Sequence, residues 1–425
     1  MCAMEVIRRE DQSALGTTPI SIGLWLGGGT TPNRRSDAEY TFKALRAGNQ
    51  PANSFAVLQC PWCRAQIGPH TEGARGSSKV AGYELQGSEV VIACSDNNCH
   101  FFDRLPLHVV DDYIYEKRPD LIIGTIDKFA TLSWRPETRS MFGLGPVGNQ
   151  EFSPPGLIIQ DELHLISGPL GSMAGLYEGL IEELCTDRRF TPEIRPKIIS
   201  STATIRRSEQ QIKALYGRAD SALFPPPGLD AGDSFFSRFA KDTDGNLAPG
   251  KKFVGVYTAN FPSLQTTQVR TFSSLLQSPA QLPEPDRDPW WTLVAFFNSL
   301  RELGNTLSLM QHDIRNYLWA IHLRTGKERT NPRYVNKYLE LTGRLRDEEV
   351  GPALDLLEVG YDSTEGRPLD VCLASNIIEV GIDIDRLALM VVVGQPKTTS
   401  QYIQVTGRVG RQWQKVPGLV VTIYG

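Results

Sequence analysis

No run of 18 consecutive apolar residues occurs in these 425 residues, so the sequence predicts no transmembrane helix. The first residues, Met1-Cys2-Ala3-Met4-Glu5-Val6-Ile7-Arg8-Arg9, lack the apolar core of a secretory signal, and a cytoplasmic location is expected. A surplus of charge is missing too. Lys and Arg number 44 against 48 Asp and Glu, for a formal net charge of −4. Nucleic acid, if bound, must be held in a local groove, because bulk charge does not attract it. Repeats and low-complexity tracts are absent. Cysteine is sparse and odd in number, at seven, which argues against a disulfide framework. What remains is ordinary for a soluble globular chain: 40% hydrophobic and 22% charged residues, with length for two or three domains.

Short apolar runs alternate with helical patterns. Ile20–Leu26 reads as a strand, followed by Gly27-Gly28-Gly29-Thr30-Thr31-Pro32. A capping-box pattern from Ser36 to Glu39 predicts a helix that ends near Gly48. Asp120–Gly124, Gly156–Gln160 and Lys197–Ser200 are further strands, the apolar ones of the kind a parallel sheet buries on both faces. A long helix is expected from after Gln160 through about Leu184. Residues 219–250, with Pro225-Pro226-Pro227-Gly228, read as a connection. A second series then brings strands at Trp291–Phe297, Val371–Ala374 and Leu389–Val393, with a helix opening at Ser299. The pattern predicts two α/β sheets.

Chemistry concentrates at strand ends. Asp161 and Glu162 follow an apolar strand at its carboxyl end, where open α/β sheets bind ligands. An aspartate there can hold Mg²⁺, and its neighbour can polarise a water attacking the γ-phosphate of ATP. An acidic pair on the surface is the plainer alternative. Gln404-Val-Thr-Gly407-Arg408-Val-Gly410-Arg411 sets two guanidinium groups among small residues, and arginine meets phosphate oxygens in bidentate fashion. A solvated helix face is the bland reading of those arginines.

Together these segments resemble motifs II and VI of superfamily-2 helicases. Ser201-Thr202-Ala203-Thr204 resembles motif III, Thr292–Asn298 motif IV, and Ala374–Asp383 motif V. Thr125-Ile126-Asp127-Lys128 resembles motif Ib, with helix capping by Thr125 or Asp127 as a compatible reading. Three segments look more narrowly like the DrmA family of DISARM anti-phage helicases. They are Asp161–Gly171, Gly124–Ala130 and Gly394–Gln404.

The resemblance implies two RecA-like lobes, an α/β fold with parallel sheets, and a small zinc-binding insert in the first. Their expected bounds are 1–230 for the first lobe, 55–105 for the insert, 231–250 for the connection and 251–425 for the second lobe. The resemblance also implies an ATP-dependent helicase or translocase, with DNA favoured over RNA, and partner proteins of a bacterial defence system. It assigns catalysis to Asp161, Glu162, His164, Arg408 and Arg411. Nucleotide contacts fall to Asp161, Gln404, Gly381, Asp383, Gly407, Arg408 and Arg411. Coupling falls to Ser201, Thr202, Ala203 and Thr204, and nucleic-acid contacts to Thr125, Asp127, Lys128, Ser375 and Asn376.

One part of such a motor is not in the sequence. A phosphate loop reads G-x-x-x-x-G-K-[ST]. Gly23–Thr30 has the spacing, but Gly29 stands where the lysine belongs. Gly245–Lys252 lacks the hydroxyl and precedes a strand, so it is read as a decoy. The expectation is a longer protein from which both ends are lacking here, so that ATP and Mg²⁺ binding are conditional on the missing loop. The alternative is a non-catalytic nucleic-acid-binding or scaffold protein of helicase shape.

Finally, Cys60-Pro61-Trp62-Cys63 and Cys94–Cys99 predict a structural Zn²⁺ site with four thiolates, with His100 as a possible substitute for Cys99. Unrelated free thiols are the alternative.

Overall fold

The computed structural model describes all residues except 49–52, 73–76, 167, 203–207, 219, 227, 231, 260–262, 326–332, 346, 365, 376–383 and 413. Two compact units meet in sequence between Ser221 and Ala222. The first holds β1 (Ile22–Trp25), β2 (Gly68–Glu72), β3 (Ser77–Ala81), β4 (Tyr83–Gln86), β5 (Glu89–Ile92), β6 (Leu107–His108), β7 (Leu121–Gly124), β8 (Leu157–Gln160) and β9 (Lys197–Ser200). The second holds β10 (Lys252–Tyr257), β11 (Leu293–Phe297), β12 (Tyr338–Leu341), β13 (Val371–Ala374), β14 (Leu389–Val393) and β15 (Leu419–Tyr424).

In the second unit the strands form one parallel sheet in the order β10-β15-β14-β11-β13-β12. All five residues of β11 are buried, as are those of β13 and β14. Alternate side chains go to opposite faces. Leu293, Ala295 and Phe297 join the cluster with Phe272, Leu303 and Leu318, whereas Val294 and Phe296 join Ala353, Leu357 and Val405. Helices therefore cover both faces, which is why the strands read as unbroken apolar runs. Ser263, Ser299 and Thr398 cap three of these helices by accepting the backbone N–H three residues on. Trp291 is not strand, contrary to expectation. It ends a short helix, Asp288–Trp291, whose second residue is Pro289, and its ring stacks under Arg333.

That arginine anchors the sheet's lower end. Its Nη2 donates to Asp370 Oδ1 at 2.9 Å, and the carboxylate also accepts from the backbone N–H groups of Asn336 and Lys337. Side-chain exposure of Arg333 is 1%, and burial pushes its guanidinium down to about 10. Removing one member of such a pair leaves the other charge buried and uncompensated. We expect Asp370→Ala to lower unfolding stability by about 3–5 kcal/mol in urea titration.

In the first unit a parallel sheet runs β6-β1-β7, and β8 and β9 form a separate parallel pair. The predicted helix after Ser36 runs Arg35–Arg46, and Arg34 at its N-cap makes no side-chain cap bond. Instead the Arg35 N–H donates to Asp112 Oδ2 at 3.0 Å, so a distant carboxylate replaces the local cap. The hairpins β2-β3 and β4-β5 lie within the cysteine-bearing segment. This segment is no separate body. Cys60, Cys94, Cys99, Phe55 and Phe101 share one core with Phe42 and Leu45 of the helix and with Tyr113. The first helix, Cys2–Glu10, joins in: Arg9 Nη1 donates to the His100 carbonyl at 3.0 Å.

Candidate functional site

Three groups of predicted residues can be followed. The first lies at the carboxyl ends of β8 and β9. Their register sets Gln160 opposite Ser200, so the residues that follow, Asp161 and Ser201, emerge side by side. Ser201 Oγ donates to Asp161 Oδ1, and that same oxygen accepts the Glu162 N–H at 2.9 Å. The Leu163 N–H donates to the Ser201 carbonyl at 3.0 Å, tying the two loops together. His164 Nδ1 lies 3.3 Å from Glu162 Oε2. Leu163, 1% exposed, pins the turn into the core, and Gln211 Nε2 donates to the carbonyls of Leu163 and Ile166.

Glu162 has φ 51°, a left-handed conformation that few non-glycine residues adopt. There the backbone turns into Leu163–Leu165. In the structure Ser201 bonds Asp161, and His164 faces Glu162. Thr202 is exposed beside them, while Ala203 and Thr204 lie outside the described residues. The assembled groups offer a cation-binding carboxylate oriented by a hydroxyl and an N–H. A second carboxylate stands beside an imidazole.

Glu178, on the helix Gly168–Leu184 behind this turn, is 6% exposed. Burial, and then the charge of Glu182, push its carboxyl up to about 7. The folded pKa lies above the unfolded value. The folded chain therefore keeps a proton that the unfolded chain gives up, and stability falls as pH rises from the ordinary carboxylate range to about 7. Glu178→Gln should match the parent at pH 5 and exceed it at pH 8 by on the order of 2 kcal/mol, read from denaturant midpoints.

The second group lies in the other unit. Gln404 sits in the helix Thr399–Thr406, with Gly407 at its C-cap. Val409 is fully buried and Gly410 turns at φ 61°. A Cβ on Gly410 would stand 2.4 Å from Gly418 Cα, so glycine is required there. The turn sets Arg408 and Arg411 at the surface margin of the sheet, both half-buried. Lys251 belongs here as well. Its Nζ donates to the Thr406 carbonyl at 2.5 Å, and its pKa is lowered, first by burial and then by the charge of Arg411. Sequence reading had set Lys251 aside with its glycine-flanked segment. The pairing of β10 with β15 is what brings it back to the arginines.

Elsewhere the expected contacts are redistributed. Lys128 is 6% exposed and bonded to Asp111 Oδ2 at 2.7 Å and Asn33 Oδ1 at 2.8 Å, so its ammonium is spent on the fold. Thr125 stands at the N-cap of Ile126–Phe129 without a side-chain cap bond, and both Thr125 and Asp127 are exposed. Ser375 is buried at the end of β13, its N–H donating to the Leu341 carbonyl. Within the motif IV segment, Thr292 is buried with its hydroxyl on the Leu369 carbonyl, and Asn298 donates to the Gly394 carbonyl. Asn376, Gly381 and Asp383 lie outside the described residues.

The third group is the cysteine cluster. The sulfurs of Cys60, Cys63, Cys94 and Cys99 all lie within 4.8 Å of one another. Cys60 and Cys99 are 3.9 Å apart, and Cys63 and Cys94 3.4 Å. Four thiolates at about 2.3 Å from Zn²⁺ in a tetrahedron stand about 3.8 Å from each other, so the spacing fits the ion. Cys99 completes the set, and His100 instead packs edge-on against Trp62. Burial raises the Cys94 and Cys99 thiols; the Cys63 thiol is lowered, chiefly by a backbone hydrogen bond at Ala65. A cation would supply the charge that burial withholds.

Residues 337–412 match the helicase conserved C-terminal domain, a span that contains Ser375 and Gln404–Arg411. DISARM protein DrmA of Bacillus paralicheniformis is 36% identical over 98% of this chain. The chain spans 39% of that relative's length. Among solved structures, the helicase Lhr of Mycobacterium smegmatis bound to ssDNA and AMP-PNP gives a TM-score of 0.44 at 17% identity, over 74% of this chain and 33% of that one. The DUF1998 helicase MrfA bound to DNA gives 0.44 at 16%, over 99% and 41%. Cas3 of T. fusca gives 0.44 at 15%, over 100% and 43%. The chain is thus a helicase-family protein related to DISARM protein DrmA, with a helicase conserved C-terminal domain in its second unit.

Proposed function

We propose that these residues are part of an ATP-dependent, DNA-directed superfamily-2 helicase or translocase that serves bacterial anti-phage defence. The observation that carries the reading is the gathering of Asp161, Glu162, His164 and Ser201 at the ends of two paired parallel strands. Asp161, oriented by Ser201, would hold the metal of a nucleotide. Mg²⁺ there would neutralise phosphate charge. Glu162 would take the proton of the attacking water, and His164 would orient Glu162. Arg408 and Arg411 would bind phosphate groups, with Gln404 and Gly407 in the same turn. Of the residues expected to contact nucleic acid, Thr125 and Asp127 are exposed and remain candidates. The defence role is supported by the relation to DISARM protein DrmA.

No G-x-x-x-x-G-K-[ST] segment with a following helix is present in the 425 residues. Phosphate binding would then depend on polypeptide supplied from elsewhere. The test joins these residues to a superfamily-2 phosphate-loop segment and follows ATP hydrolysis with and without single-stranded DNA. DNA-stimulated turnover that falls at least about 100-fold in Glu162→Gln is expected. Equal turnover in parent and variant refutes the role of Glu162. DNA binding without turnover in any form of the protein favours a non-catalytic scaffold.

A further inference from the structure

The sheet of the second unit ends in an open edge with a cavity beside it. β12 is the last strand, and among the described residues it pairs with β13 alone. The Lys337 and Leu341 carbonyls turn toward β13, where they accept the N–H groups of Asp370 and Ser375. Backbone polar groups alternate sides along a strand, so Tyr338 and Glu340 hold theirs toward the open edge. Side chains alternate too. Leu339 and Leu341 pack with Ala353 and Leu357 on one face. Tyr338 and Glu340 therefore belong to the other face, which Leu303, Met310, Ile314 and Leu318 of the overlying helices cover.

That cover is interrupted at one corner. A single π turn, Met310–Ile314, joins the helices Leu300–Leu309 and Arg315–Thr325, a distortion frequent at functional sites. Beside it lies a cavity of about 380 Å³, lined by Met310, Gln311, His312, Arg315, Val335 and Tyr338. Met310 and Val335, 2% and 4% exposed, give it an apolar floor, and the Tyr338 ring, 43% exposed, stands at its rim. Arg315 Nη2 donates to the Val335 carbonyl at 3.2 Å, which holds the guanidinium at the cavity. Among the described residues that guanidinium has no carboxylate partner, and the side chains of Gln311, His312 and Tyr338 make no hydrogen bond. Two residues along the same face, Glu340 carries the opposite charge.

An open edge offers backbone pairing to an extended chain, and a neighbouring pocket selects among side chains. We infer that β12 takes up an extended segment of another protein as an added strand, chosen by charge complementarity. An aromatic side chain fills the cavity over Met310 and Val335. An acidic side chain two residues away, on the same face, meets Arg315, and a basic one two residues the other way meets Glu340. The inference needs neither nucleotide nor DNA, so it stands or falls separately from the proposed ATPase.

The probe is the peptide Thr-Thr-Glu-Thr-Phe-Thr-Lys-Thr-Thr, titrated onto the 425-residue chain while amide hydrogen exchange is followed. Slowed exchange at Tyr338 and Glu340 is expected, half complete below about 1 mM peptide. Replacing the peptide's Phe by Ala, or its Glu by Lys, should raise that concentration about 10-fold. Arg315→Glu should reverse the preference for Glu over Lys. Glu340→Pro removes an outward N–H and leaves the ladder to β13 intact, so it should abolish protection at Tyr338 with the parent's melting temperature. Absence of protection with every peptide overturns the inference. So does protection that survives Glu340→Pro, or a preference for Glu that persists in Arg315→Glu. A dimer of the chain alone in sedimentation, dissolved by Glu340→Pro, would give the edge to a second copy and overturn the chosen occupant.

Discussion

Cys94→Ser should strip the metal and unfold much of the first unit. The parent chain is expected to carry about one zinc per molecule, and the variant less than half, in elemental analysis. The structural consequence is larger than for a detachable finger. Cys60, Cys94 and Cys99 lie in the same core as Phe42, Leu45, Phe101 and Tyr113. Without the ion, four clustered thiolates would either repel or take up protons in a buried setting, and neither holds the loops together. Structural zinc contributes on the order of 10 kcal/mol or more to small metal-held folds, and here that energy is shared with an aliphatic core. Calorimetry should show the first unit's transition lowered or absent in Cys94→Ser, and in the parent after chelation. The second unit's sheet contains no part of that core and should melt as before. Full zinc occupancy in the variant would remove this assignment.

Arg411→Ala is expected to reduce ATP turnover by roughly 10³-fold or more in a form of the protein that hydrolyses ATP. An arginine that meets phosphate mainly as charge builds in the transition state affects kcat more than KM. Arg411→Lys should restore little, because an ammonium cannot form the paired contacts of a guanidinium. Lys251 offers an internal control. Its amine bonds the Thr406 carbonyl and is depressed partly by Arg411, so it supports the turn and is poorly placed to replace the lost arginine. Lys251→Met should therefore lower stability more than it lowers kcat. An Arg411→Ala protein with unaltered turnover would place the arginine outside the chemistry.

Legibility followed physical range. β11, β13 and β14 could be read because sheets buried on both faces demand short continuous apolar runs. Asp161 and Ser201 could be read together because each directly follows such a run. The four cysteines were legible from spacing alone. What the sequence could not show were partners fixed by tertiary contact. Lys128 looked like a surface cation, and only the fold reveals Asp111 beneath it. Ser375 looked available, and its burial depends on β12 alongside. The helix at Arg35 carried a local capping pattern, yet Asp112 from a later helix does the work. Lys251 was discarded because the pairing of β10 with β15 spans more than 150 residues of sequence.

The backward-turned backbone at Glu162 bears on which residues can replace glutamate there. A branched residue such as valine is a short mutational step from glutamate, but its Cβ substituents crowd the neighbouring carbonyl at that angle. Glycine, asparagine and aspartate accept the angle with little penalty. Relatives that lack this glutamate while keeping the turn should therefore carry one of those three at this position, and valine or isoleucine should be rare among them.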